Sequence, residues 1–154
     1  MRELHHFDIF TLPNNKAEEN IVCVTTNGII KRDGTAVMGA GIAKTANLRF
    51  KVAEKLADSL RTNGNVVSDL GSYYWKTSRF HLVAFQTKHD WRNPSDLQLI
   101  EQSAKQLVAL VNTNGFQHIF LTRPGCACGQ LDWESQVKPI LENILDDRFT
   151  IVYR

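Results

Sequence analysis

No stretch of the chain approaches the ~18 consecutive apolar residues that a membrane-spanning helix needs. The opening MRELHHFDIF holds no long apolar segment ahead of a small-residue cleavage site, so no secretory leader is expected. Neither sign of charge dominates: 18 Lys and Arg stand against 16 Asp and Glu, a formal net charge of +2. That balance excludes a nucleic-acid footprint written into composition, although a local surface leaves such a partner open. Blocks of like charge are missing, since KAEE and DDR are short. Cysteine is scarce and odd in number: Cys23, Cys126 and Cys128. Cys126 and Cys128 are too close in sequence for an ordinary disulfide, and Cys23 lies in an apolar run, so a reduced, cytoplasmic setting is expected. With no C-x-x-C or H-x-x-x-H spacing, neither a metal nor another cofactor is expected. Repeats, linkers and low-complexity tracts are absent too.

What is present suits one soluble domain spanning 1–154. The hydrophobic fraction of 43% and charged fraction of 22% are ordinary for a globular chain. At this length roughly two-thirds of the unfolded surface can be buried. Ile21 to Thr26 is a continuous apolar, β-branched run, the pattern of a strand buried on both faces. It ends at the turn signal Asn27-Gly28. A short strand is expected from Leu4 to Phe10, with Asp8 near its end. Ile42, Ala46, Ala53, Leu56 and Leu60 fall on one face of a single helix that Asn63-Gly64 would close. Gly71 to Trp75 and Phe80 to Phe85 read as strands around Lys76 to Arg79, and Gln86 to Pro94 as a loop. Ser95 to Gln98 matches a capping box, with Ser95 as the cap of a helix that Asn114-Gly115 closes. His118 to Leu121 is a strand; a last helix begins near Lys138, with Pro139 in its first turn. Phe149 to Tyr153 is the final strand. The alternation predicts an α/β protein, a three-layer α/β/α sandwich with a mixed central sheet.

Two small-residue loops carry the chemistry. Met38-Gly39-Ala40-Gly41-Ile42-Ala43 follows one strand, and Gly125-Cys126-Ala127-Cys128-Gly129 follows another. Unpaired N–H groups at a helix start, together with the helix dipole, attract phosphate, and glycine lets the backbone come close. Two such loops point to a ligand with two phosphates. Neither has the P-loop spacing or the full G-x-G-x-x-G pattern. From the residues alone, Asp8 serves equally as a turn carboxylate, Asn27 as the turn former beside Gly28, Lys88 as a solvated or phosphate-binding lysine, and Asp132 as a cap.

Taken together, Thr25-Thr26-Asn27-Gly28, Ala36 to Ala43, and the run from Arg123-Pro124-Gly125 to Leu131-Asp132-Trp133 resemble macro domains. The resemblance is to the branch holding the terminal ADP-ribose protein glycohydrolases and the DNA ADP-ribosyl glycohydrolase antitoxins. The segment Phe85 to Arg92 is similar to the lysine-bearing segment of those antitoxins. The likeness runs from Asp8 to the last strand. It implies that Asp8 and Ile9 meet the adenine, with the carboxylate accepting from its amino group. It implies that Asn27 meets the distal ribose, that Met38 to Ala43 wraps the pyrophosphate and that ribose, and that Gly125 to Gly129 holds the second phosphate. Lys88 would act at the anomeric carbon of the distal ribose, as a Schiff-base former or through its charge. The chain departs from the pattern in places. Ile29 to Thr35 is longer than in the antitoxins, an expected lid or substrate contact. Gly129 stands where the protein glycohydrolase has a catalytic aspartate, with Asp132 as the substitute three residues on. The expected partner is ADP-ribose or an ADP-ribosylated macromolecule, with no membrane involved. The resemblance implies a hydrolase that removes ADP-ribose; a non-catalytic reader and an ADP-ribose 1″-phosphate phosphatase stand as the alternatives.

Overall fold

The computed structural model describes residues 1–13 and 19–154. Among these, six strands form one sheet: β1 (Arg2–His5), β2 (Asn20–Asn27), β3 (Ser68–Trp75), β4 (Ser78–Lys88), β5 (Ile119–Thr122) and β6 (Phe149–Tyr153), in the order β1-β6-β5-β2-β4-β3. Every pair is parallel except the β3–β4 hairpin, so the sheet is mixed, as expected. The helices are α1 (Gly41–Phe50), α2 (Ala53–Asn63), α3 (Leu97–Asn114) and α4 (Lys138–Glu142). None of the described helices is long and apolar enough to cross a membrane.

The period of two along each strand divides the core into two layers. From β2, Val22 and Val24 join Phe80, Leu82 and Ala84 of β4 beneath α1 and α2. Their neighbours Ile21, Cys23, Val83 and Phe85 turn the other way, into the cluster under α3 and α4. β2 is buried along most of its length because both faces are covered and both edges are paired. Burying one Leu, Ile or Phe of this kind contributes about 1.5–3 kcal/mol.

The structure corrects several local expectations. β1 starts at Arg2 and stops at His5, and Asp8 caps a 3-10 turn over Ile9–Thr11 by accepting from Phe10 N. The single helix from Ile42 to Asn63 is two helices. Lys51 turns left-handed (φ 54°), its N–H closes α1 on the Asn47 carbonyl, and Asn47 Oδ1 accepts from Ala53 N to start α2. Gln86, Thr87 and Lys88 are not loop but the end of β4. Asp96, not Ser95, caps α3: its carboxylate accepts from Gln98 N at 2.9 Å. A π turn, Trp133–Val137, precedes α4, and Asp132 caps it.

Candidate functional site

Parallel strands put their carboxyl ends at one edge, which is where open α/β sheets bind ligands. Here β1, β6, β5, β2 and β4 all end at the same edge. A cleft of about 1150 Å³ lies across it. Its lining includes every site residue expected from the sequence: Asp8 and Ile9, Asn27, Met38 to Ala43, Lys88, Gly125 to Gly129, and Asp132.

The first loop leaves β2 and becomes the N-terminus of α1. Asn27 shapes its start: Nδ2 donates to Val37 O at 3.1 Å and Oδ1 accepts from Ile29 N at 3.0 Å. Among the described residues no acceptor meets the N–H groups from Gly39 to Ala43, and Ala40 caps α1 without a side-chain bond. Those donors and the dipole of a ten-residue helix face the cleft. Gly39 and Gly41 are exposed, and a Cβ on either would meet nothing within 4 Å. Gly41 needs glycine for its φ of 56°, whereas Gly39 lacks a positive φ. No contact inside the fold explains the missing side chain at Gly39. The longer stretch before this loop folds on itself, with Ile30 bridged to Ala36, Asp33 bonded to Thr35 and Arg61 donating to Gly34 O. It does not line the cleft.

The second loop follows β5 and is packed from behind. Gly125 has φ 77°, and its Cβ would lie 2.9 Å from both Ile100 and Leu131. A Cβ at Gly129 would lie 2.5 Å from Gly125 O and collide with Ser95 Oγ. No side chain fits at position 129 in this backbone. The N–H groups of Ala127, Cys128 and Gly129 have no acceptor among the described residues. Cys126 donates to Pro124 O, and burial pushes its thiol up to about 11, so it is no thiolate at neutral pH. Among the described residues no cluster of three His, Cys, Asp or Glu could hold a metal.

Lys88 joins the two loops. It pairs with Asn27 in the β2–β4 register, and its Nζ donates to Cys128 O at 3.1 Å and Trp91 O at 3.4 Å. Asp132 lies at the rim, with Oδ2 accepting from both Ser135 N and Ser135 Oγ. Those two donors hold its carboxyl below the ordinary value. The capping and turn-forming duties that the residues alone allowed for Asp8, Asn27 and Asp132 are therefore all met, on the cleft wall.

Sequence reasoning missed other parts of the site. Trp91, half exposed, lines the cleft beside Lys88, with the Arg92 guanidinium 5.0 Å from its ring. Arg123 lines it between the rings of Trp133 (5.2 Å) and Tyr153 (4.2 Å). Asp8 is ion-paired with Arg49 on α1. Only the fold brings these together; the one local signal was the aromatic-basic pair at positions 91 and 92.

A six-stranded mixed sheet of this kind, with helices on both faces and two glycine loops at one edge, is the macro domain fold, and the chain has that fold. It is similar to the macrodomain of Thermus aquaticus DarG, at 25% identity and a TM-score of 0.70, over 99% of this chain and 97% of that one. The macrodomain of Mycobacterium tuberculosis DarG matches at 24% identity and a TM-score of 0.71, over 98% of this chain and 96% of that one. Thermosipho africanus DarTG, solved in complex with ADP-ribose, matches at 21% identity and a TM-score of 0.66, over 86% of this chain and 37% of that one. In sequence, the DNA ADP-ribosyl transferase–DNA ADP-ribosyl glycohydrolase fusion protein of Thermosipho africanus (strain H17ap60334) is 28% identical over 92 residues, 60% of this chain. The chain spans 22% of the length of that curated relative. No protein-family model matches it.

Proposed function

We propose that the cleft binds ADP-ribose and that the protein is a hydrolase releasing it from a modified macromolecule. The observation that carries this is convergence: two sets of unpaired backbone N–H groups, Asp8 and Lys88 all line one cleft. In this reading Asp8 and Ile9 take the adenine. Met38, Gly39, Ala40, Gly41, Ile42 and Ala43 take the pyrophosphate from one side. Gly125, Cys126, Ala127, Cys128 and Gly129 take it from the other, and Asn27 meets the distal ribose. The similar Thermosipho protein solved with ADP-ribose supports the ligand, and the glycohydrolase named in the curated relative supports the reaction.

Hydrolysis breaks the bond between C1″ of the distal ribose and the acceptor atom. The hydroxyl of water ends on that carbon, and its proton on the departing acceptor. In this reading Lys88, at the meeting of the loops, acts at C1″. Its ammonium now bonds two carbonyls, and ligand binding against the second loop would exchange those contacts. Asp132 is a secondary candidate, because its carboxylate is already engaged by Ser135. The acceptor is a protein side chain or a nucleic-acid base, so the assay uses substrates of both kinds. We place the protein in the cytoplasm, on the strength of three free thiols.

Titration calorimetry of ADP-ribose against ATP, NAD and AMP tests binding, and release of free ADP-ribose tests turnover. Lys88→Ala is expected to keep binding and to lower turnover by about 10²-fold or more. Normal turnover in that variant would remove Lys88 from the mechanism. A second reading, a non-catalytic reader, is favoured by one fact: Lys88 Nζ and Asp132 Oδ2 both bond the protein itself. Tight binding with no release from any substrate would select it.

A further inference from the structure

Arg49 does not line the cleft, and no motif pointed to it. Its Nη2 donates to Asp8 Oδ2 at 3.0 Å. The other Asp8 oxygen accepts from Phe10 N at 3.0 Å. The guanidinium sits 4.8 Å from the Trp75 ring and 5.4 Å from the Phe10 ring. Side-chain exposure is only 21% for Arg49 and 22% for Asp8. Arg49 Nη1 is buried without a hydrogen-bond partner, so Asp8 and the two rings are what hold the group. The clamp gathers distant parts of the chain: α1 supplies Arg49, the end of β3 supplies Trp75, and the segment after β1 supplies Asp8.

Each carboxylate oxygen has two lone pairs, and each here accepts one donor from the protein. What remains toward the cleft can only accept. A ligand amino group finds a partner there, while a ligand carbonyl finds like polarity and leaves both groups unsatisfied. A free aspartate could rotate away from that mismatch; one fixed on both oxygens cannot.

We propose that Arg49 is a positioning residue for base selection: clamped by Trp75 and Phe10, it locks the Asp8 carboxylate so that the cleft accepts an amino-bearing purine edge and rejects a carbonyl-bearing one. The proposal rests on the reading that Asp8 faces the purine.

The test is competitive binding of ADP-ribose and its hypoxanthine counterpart, inosine diphosphate ribose, with a thermal melt for each variant. Wild type should prefer ADP-ribose. Arg49→Met should weaken ADP-ribose by about tenfold and leave the hypoxanthine ligand within about twofold, so that selectivity falls. Arg49→Lys should regain part of it. Trp75→Leu, which touches neither Asp8 nor the cleft, should move the ratio the same way by less. A parallel loss of both ligands in Arg49→Met would mean a structural role only and would overturn the proposal. Should Arg49→Met fail to fold, an unchanged ratio in Trp75→Leu overturns it equally. A wild type with no preference would remove the Asp8 reading and this proposal with it, and that failure shows before any variant is made.

Discussion

The two loops look alike in sequence and differ in what their glycines are for. In the first, a Cβ on Gly39 or Gly41 would point into empty space, and at Gly39, where φ is not positive, nothing within the chain calls for glycine. In the second, Gly125 and Gly129 are closed in by Ile100, Leu131, Ser95 and the loop's own backbone, so the small residues leave room for the chain itself. One loop is open to the cleft and the other is tight against the chain. A glycine count cannot separate these cases; the nearest atoms to a hypothetical methyl can.

The largest test of that contrast is Gly129→Ala. The added carbon meets Gly125 O and Ser95 Oγ, and the expected cost is about 2–4 kcal/mol, a fall of about 2–4 °C in Tm for each kcal/mol. A melt unchanged from wild type would show the second loop to be as open as the first. Gly39→Val should do the reverse, leaving stability within about 0.5 kcal/mol while weakening ADP-ribose about tenfold or more. Full affinity in that variant would mean the free space there is not ligand space.

Acid should separate the loops as well. The element after the second loop is capped by Asp132, held below its ordinary 3.8 by Ser135, whereas Ala40 caps α1 with no side-chain bond. A carboxyl with a depressed folded value contributes stability that is complete above the unfolded value and lost as pH falls through the folded one. Melts taken from pH 5 downward should therefore fall below about pH 3.8 by more in wild type than in Asp132→Asn. Identical profiles would remove Asp132 as the acid-sensitive group. The smallest effect belongs to Ser95→Ala. The buried Ser95 Oγ has no partner, so its removal should change stability by no more than about 0.5 kcal/mol, in either direction.

Much of this fold can be read from the chain, and the misreadings have physical causes. β2 was legible because an apolar β-branched run has few uses other than a strand covered on both faces. β6 matched its expected span, Phe149 to Tyr153. The end of β4 was not legible because Gln86 and Thr87 are polar. Inside the sheet they are buried by pairing with Thr26 and Ser103 rather than by being apolar. The break at Lys51 was hidden because apolar spacing continues across it, and only the Asn47 side chain reveals the new start. Ser95 and Asp96 are adjacent residues of equal capping ability; Ser95 N–H is tied to the second loop at Gly129 O and Asp96 N–H to Thr87 O of β4, which leaves the Asp96 carboxylate to accept from Gln98 N. For the site, Lys88 was singled out only by the resemblance of its segment to macro domains, whereas both loops showed in local pattern. Arg49 did not, because its partners lie 41 positions back at Asp8 and, for Trp75, on the far side of α2.

The sheet order has a consequence for what the cleft can measure. β5, β2 and β4 are immediate neighbours, and hydrogen-bonded strands lie about 4.8 Å apart. The strand ends from which the second loop, the first loop and Lys88 spring therefore stand at successive marks of a ruler whose graduation is the peptide hydrogen bond. That scale cannot be stretched by changing a side chain. Drift in the side chains there can alter the chemistry of the cleft but not the spacing of the strands that carry its walls.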